Sequence, residues 1–320
     1  MIISVNTHGG GRMKAQIDRN VELVQVLLLL ADQQQKTYQL LENAEYTAAI
    51  HAWFMPYAGH EAVAQTRELI LNESFVHIKP LRAILRLEEL CGNAAHKLHR
   101  WACAVKCFAK DTQFDLFFAQ QRGYYDWILD HVHSCRLELW VEFIEQYFRS
   151  RPDDFRLIIC PIAGNYGFTL EQDGKQTAYT VRCLPLYDEQ GAPVWDWDGF
   201  AKGVAHEYAH CFVNPAVEAH VDLLAAGKAF FERHKNIPYF YNVDYAVINE
   251  YFVRAFQIRF MEQNRTLFPT FDIEKEYAFQ KNMFVEIDRF LAALQKFEMG
   301  RESFSDFYVR EIVRILTEAE

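Results

Sequence analysis

Between about residues 15 and 150, apolar residues recur at steps of three and four, the period that gives a helix one buried face. The stretches VELVQVLLLLADQ (21–33), PLRAILRLEELCG (80–92) and TQFDLFFAQQRGYYDWILDHVHSCRLELWVEFIEQYF (112–148) all carry it. In the second, Pro80 is placed to open a helix and Gly92 to close it. SRPDD at 150–154 reads as a connection, and the pattern then changes. FRLIICPIAGNYGFTL (155–170) and TAYTVRCLPLYD (177–188) are rich in β-branched and aromatic residues, and Asp173-Gly174 between them suits a tight hairpin turn. After EQGAPVWDWDG (189–199) the helical period returns and predicts helices over 198–213, 217–233, 240–263, 273–298 and 303–318. The expected fold is α+β and predominantly α-helical. A mainly helical region (1–150) is followed by a second region (151–320), in which a small antiparallel sheet (155–187) precedes the remaining helices.

Composition narrows the partners. The 320 residues are 51% hydrophobic and 24% charged, enough apolar content for a sizeable core and too much for wholesale disorder. A net charge of -10 with no Lys/Arg-rich run argues against a nucleic-acid or anionic-membrane partner. The strongest apolar run, residues 21–31, is too short to span a bilayer, so no transmembrane segment is expected. The opening MIISVNTHGGGRMK has no basic stretch followed by an apolar one. Together with seven cysteines, an odd number without disulfide-framework or metal-knuckle spacing, this favours buried thiols and a cytoplasmic location. A leader removed upstream would make the protein exported instead.

One helix of the second region interrupts its apolar pattern with chemistry. VAHEYAHCFVNP (204–215) carries His206 and His210 four residues apart, hence on one face and one turn apart, with Glu207 beside them. Two imidazoles so placed can hold one tetrahedral zinc ion, while the glutamate takes a proton from the metal-bound water. The rest of the helix is apolar, so three buried ionisable groups without partners would cost several kcal/mol, and a metal satisfies all three together. Asn214-Pro215 is placed to end the helix. Catalytic zinc keeps a third protein ligand. Val213 and Ala216 occupy the positions where a metzincin needs glycine and histidine. A glutamate from a second helix is the alternative, and Glu250 in DYAVINEYFVRAFQIRF (244–260) leads, with Glu218 and His220 as rivals. Arg254, four residues after Glu250, can pair with it and orient it.

The run His206-Glu207-Tyr208-Ala209-His210 with Phe212-Val213-Asn214-Pro215, and later Asn249-Glu250 and Arg254-Ala255, resembles the gluzincin metallopeptidases. More narrowly it is similar to an uncharacterised bacterial zincin-like family catalogued as a domain of unknown function, whose opening QIDRNVELVQVLLLLAD also matches. The resemblance implies a zincin-like region with one zinc ion held by His206, His210 and Glu250 and with Glu207 as general base. It supplies no substrate.

Zincins set an edge strand beside the metal, where a peptide adds as a further strand. The sheet at 155–187 could supply that strand. AGNYGF (163–168) brings small residues for close backbone approach, and Asn165 or Tyr166 could meet a substrate; an ordinary glycine-containing bend is the equal alternative. Tyr239, Tyr241, Tyr245 and His234 are candidate donors to an oxyanion. The pairs His96/His99 and His131/His133 lack an acid at ligand spacing and read as structural, and Cys103/Cys107 read as core. Two functions remain. One is a zinc-dependent peptidase acting on peptide or protein substrates. The other is a non-catalytic binding module with a structural or vestigial metal site. A structural site needs no base, so Glu207 favours catalysis.

Overall fold

A computed structural model describes residues 2–4, 13–31, 44–71, 78–133, 137–162, 164–183, 196–233 and 243–317. Its elements follow the periodicity closely in the helical stretches. Strands β1 (Ile2–Ser4) and β2 (Met13–Asp18) lead into α1 (Arg19–Ala31), then α2 (Ala44–Phe54), α3 (Glu61–Leu71), α4 (Ile78–Ile84), α5 (Leu87–Gly92), α6 (His99–Asp111), α7 (Phe114–Gln120), α8 (Arg122–His133) and α9 (Leu137–Phe148). Strands β3 (Asp154–Cys160), β4 (Asn165–Gln172) and β5 (Lys175–Cys183) come next. The chain continues through α10 (Trp197–Ala219), a 3-10 turn at Val221–Gly227, α11 (Lys228–Arg233), α12 (Asp244–Gln263), α13 (Ile273–Met283), α14 (Ile287–Met299) and α15 (Phe304–Thr317). The protein is α+β and predominantly helical. Among the described residues no helix is long and apolar enough to cross a membrane.

The five strands form one sheet in the order β1-β2-β3-β5-β4. It is mixed, not antiparallel throughout: β1 runs antiparallel to β2, whereas β2 lies parallel to β3 with Met13 opposite Phe155 and Gln16 opposite Ile158. A parallel pair needs a long crossover, and the helices between Asp18 and Asp154 provide it. β2 does carry the strand period, with apolar Met13, Ala15 and Ile17 alternating with Lys14, Gln16 and Asp18, but it is only six residues long and runs straight into the helical pattern of α1, which masks it. Asp18 ends that strand and accepts from the Asn20 and Val21 amides at 2.9 and 3.0 Å, an N-terminal cap for α1. The Asp173-Gly174 turn is present. Both residues have positive φ (53° and 71°), as a two-residue hairpin of type I′ requires, and glycine takes the second position without strain.

The chain divides into two compact units. One comprises Met1–Cys135, Phe155–Tyr166 and Val181–Asp196, and the other Arg136–Asp154, Gly167–Thr180 and Trp197–Glu320. In the first, α1 is buried on nearly every side, with Val21, Leu23, Val24 and Val26–Leu28 at or below 1% exposure. An aromatic cluster of Phe54, Phe108, Phe114 and Phe117 joins α2, α6 and α7. In the second, α10 and α12 pack along each other. Phe212 of α10 stacks on Phe148 of α9, ring centroids 4.8 Å apart and nearly parallel, and the Tyr208 hydroxyl donates to Glu145 at 3.0 Å.

The helix expected over 217–233 is instead the end of α10, the 3-10 turn at Val221–Gly227 and the short α11, and three further expected helices have different limits. Residues 80–92 form two short helices in place of one, so that Leu81 and Ile84 are buried in the first and Leu87 and Leu90 in the second. Residues 273–298 are likewise broken at Phe284, which leaves helical geometry (ψ 73°) and is buried edge-on against Tyr251 at 5.0 Å. The third correction concerns α10. Pro215 does not end it, and the helix runs on to Ala219. Proline removes the amide that would bond the Cys211 carbonyl, but the Thr169 hydroxyl of β4 donates to that carbonyl at 3.4 Å and supplies a replacement.

Candidate metal centre

His206 and His210 lie one turn apart on α10, their rings 5.0 Å apart and steeply inclined. Glu250 faces them from α12, with its carboxylate 3.7 Å from His206 Nε2 and 3.4 Å from His210 Nε2. One ligand atom from each residue falls within 4.8 Å of the other two, so the three side chains could hold a metal ion. The remaining ring nitrogens are already engaged. His206 Nδ1 lies 3.0 Å from Gln257 Oε1, and His210 Nδ1 lies 3.0 Å from Asn214 Oδ1. An amide oxygen only accepts, so in each neutral ring the proton belongs on Nδ1 and the Nε2 lone pair points toward Glu250. This is the arrangement of metal-ligating histidines, whose second nitrogen donates to a fixed acceptor. The donor set, two imidazoles and a carboxylate, fits zinc-type coordination.

Electrostatics reinforce the geometry. Burial opposes a charged His210 ring, yet its hydrogen bond to Glu250, the charges of Glu250 and Glu207, and the bond to Asn214 lift its pKa above the ordinary value. Burial likewise opposes ionisation of Glu250. The charge of Arg254, with His210 and His206, prevails and holds the carboxyl far below the usual range. Arg254 Nε donates to Glu250 Oε2 at 2.9 Å, so the four-residue spacing produces a buried pair that fixes the orientation of the Glu250 carboxylate. Without a metal the cluster is a carboxylate surrounded by positive or protonatable partners, a site with negative charge available to a cation. Glu207 is not a member of the three-ligand group. The residue is 6% exposed and its charge acts on His210.

The expected strand is also beside this helix. Gly167 of β4 approaches it so closely that a Cβ there would meet the Glu207 carbonyl oxygen at 1.5 Å. The small residue in AGNYGF therefore serves close approach to the helix backbone, directly at Glu207. Thr169 of β4 bonds Cys211, and the Cys211 thiol donates to the Tyr179 carbonyl of β5 at 3.8 Å. In the sheet order β4 is an edge.

Other candidates have different surroundings. Asn165 and Tyr166 belong to the first unit. Asn165 accepts from Arg182 Nη1 at 2.6 Å and from the Cys183 amide at 3.3 Å, and the Tyr166 ring crowds Gly164. Glu218 is exposed and His220 lies toward Tyr308, ring centroids 6.4 Å apart, so neither joins the ligand group. Tyr245 is 38% exposed on the first turn of α12. Tyr241, with Tyr239 and His234, lies outside the described residues. His131, His133 and His99 bond backbone carbonyls at 2.8, 2.5 and 3.0 Å, the local bonds expected of structural histidines, and His96 accepts from the Leu98 amide. Burial of most cysteines does not hold: among those described, Cys160 and Cys211 are buried, Cys91, Cys103 and Cys183 are half-buried, and Cys107 is exposed, not core. Gln257 and Asn214 were missed in the sequence. Asn214 is four residues after His210 and Gln257 seven after Glu250, both at same-face helical spacing, which is the signal that could have found them.

Residues 80–315 match the family described as Domain of unknown function (DUF4932), and the chain belongs to that family. No curated protein and no solved structure matches it.

Proposed function

We propose that this protein is a zinc-dependent metallopeptidase of the zincin kind. The observation that carries the reading is a division of labour on α10: His206 and His210 turn Nε2 toward Glu250, while Glu207 is buried on the same helix without being one of the three ligands. A zinc ion held there would supply Lewis acidity and a water made acidic enough to lose its proton near neutral pH. With zinc in place, Glu207 would be the group that holds that proton and passes it to the leaving amine. Arg254 keeps Glu250 ionised and oriented, and Gln257 and Asn214 keep the two rings in the tautomer that presents Nε2. The edge position of β4, held against α10 at Gly167, suits a peptide that adds as a further strand and brings its carbonyl past Glu207.

The test is a peptide-library digest with wild type and Glu207→Gln, each assayed for bound zinc. The reading expects cleavage that a chelator abolishes, and at least about a hundredfold loss in Glu207→Gln, the lower end for loss of a general base. Zinc content should be unchanged. Zinc bound without any cleaved peptide would favour a non-catalytic metal site, and equal activity in the two proteins would show that Glu207 is not the base.

A further inference from the structure

A carboxylate outside the metal centre stands behind two of its ligands. Glu276 of α13 is buried and receives three donors. Gln257 Nε2 and Gln280 Nε2 each bond Oε1 at 2.7 Å, and Lys202 Nζ of α10 bonds Oε2 at 2.8 Å. An amide side chain has a donor end and an acceptor end and can turn half a revolution with almost no change of shape. A carboxylate removes that freedom because it only accepts. Turning Gln257 round would set its oxygen against Glu276 and its NH2 group against His206.

With both NH2 groups held by Glu276, both amide oxygens point the other way. The Gln257 oxygen meets His206 Nδ1 at 3.0 Å. The Gln280 oxygen accepts from Arg254 Nη1 at 2.9 Å, and the same guanidinium donates Nε to Glu250 at 2.9 Å. The first arm ends on one ligand and the second on another. Lys202, reaching from the helix that carries both histidines, ties the hub to the third element.

We propose that Glu276 is a positioning residue that sets the tautomer of His206 through Gln257 and the orientation of Glu250 through Gln280 and Arg254. The tautomer half stands without a metal; the affinity half rests on the metal reading above. Glu276→Gln nearly preserves shape but brings its own NH2 group into a site built of donors. It cannot serve Lys202 and both glutamines at once.

Two readouts test the proposal on the intact chain. Ring 15N chemical shifts of the chelator-treated protein, above the His206 pKa, report the tautomer. Zinc affinity is read by competition with a chromophoric chelator. Wild type should show His206 protonated on Nδ1 alone, and Glu276→Gln a mixture, with zinc affinity lowered about tenfold or more. Gln257→Met should release the tautomer, whereas Gln280→Met should weaken zinc and leave the tautomer fixed. In the Gln257→Met/Gln280→Met background, Glu276→Gln should change affinity no further, since residues acting through one network are not additive. Wild-type tautomer and affinity in Glu276→Gln would overturn the proposal. So would an undiminished effect of that change in the double background. Should Glu276→Gln fail to fold, a fixed tautomer in Gln257→Met overturns it as well. If wild type binds no zinc, the metal reading fails while the tautomer comparison still decides the role of Glu276.

Discussion

Gly167→Ala is the smallest change that strikes the strand–helix contact. A Cβ at this position would lie 1.5 Å from the Glu207 carbonyl oxygen, 2.5 Å from its carbonyl carbon and 3.0 Å from its Cα. Real Cβ atoms keep at least 3.0 Å, so strand and helix must separate by 3.0 − 1.5 = 1.5 Å along that contact. All three obstructing atoms are backbone, so no flexible side chain can give way. Overpacking of a well-filled interior costs about 1–3 kcal/mol, and this case belongs at the top of that range. At about 2–4 °C per kcal/mol, the melting temperature should fall by about 6–12 °C. Displacements of about 1 Å cost roughly a hundredfold in rate, so peptide cleavage should fall more steeply than stability. The assay is scanning calorimetry of zinc-free protein beside turnover of a cleaved peptide. Gly123→Ala in α8, where a Cβ meets nothing within 4 Å, is the control and should be neutral or stabilising. A Gly167→Ala protein melting within a degree of wild type would refute the close-approach argument.

Three further outcomes follow from the same structure. His206→Ala should lose bound zinc, not only activity, because two ligands cannot replace three; metal analysis after dialysis showing full occupancy would contradict this. Thr169→Val should destabilise by about 1–3 kcal/mol, by removing the hydroxyl that replaces the amide missing at Pro215; denaturant unfolding unchanged from wild type would count against that account of the uninterrupted helix. Burial raises the Glu22 carboxyl to about 8, while its hydrogen bond from Tyr46 lowers it and Asp18 raises it further. The folded chain thus keeps a proton that the unfolded chain sheds near 4.5, so this group's contribution is greatest below about 4.5, falls as pH rises toward 8 and is constant above. Denaturant unfolding of chelator-treated protein across that range should show a stability loss of several kcal/mol in wild type that Glu22→Gln largely removes, and equal slopes would refute it.

The three residues that could hold a metal were legible because helical spacing is a local property. His206 and His210 share a face by arithmetic, and Glu250 stands out as an acid in an apolar helix. The hairpin was legible for a similar reason, since Asp173-Gly174 supplies the positive φ values that its turn needs. What sequence reading missed is set by partners far along the chain. The fate of Pro215 depends on Thr169, forty-six residues earlier in number, and the break at Phe284 on the ring of Tyr251. Strand β2 shows a brief period-2 alternation, but its parallel partner β3 begins only at Asp154, so nothing local marks it as part of a sheet. Glu276 has no motif at all: its role exists only once α10, α12 and α13 are packed together.

The central claim is that two histidines and a glutamate hold one zinc ion. Crystals of the zinc-replete protein, measured on both sides of the zinc absorption edge, test it most directly. The account predicts a single anomalous peak per chain within about 2.0–2.2 Å of His206 Nε2, His210 Nε2 and a Glu250 carboxylate oxygen, present above the edge and absent below it. No peak among these side chains, or zinc bound only elsewhere, would contradict it.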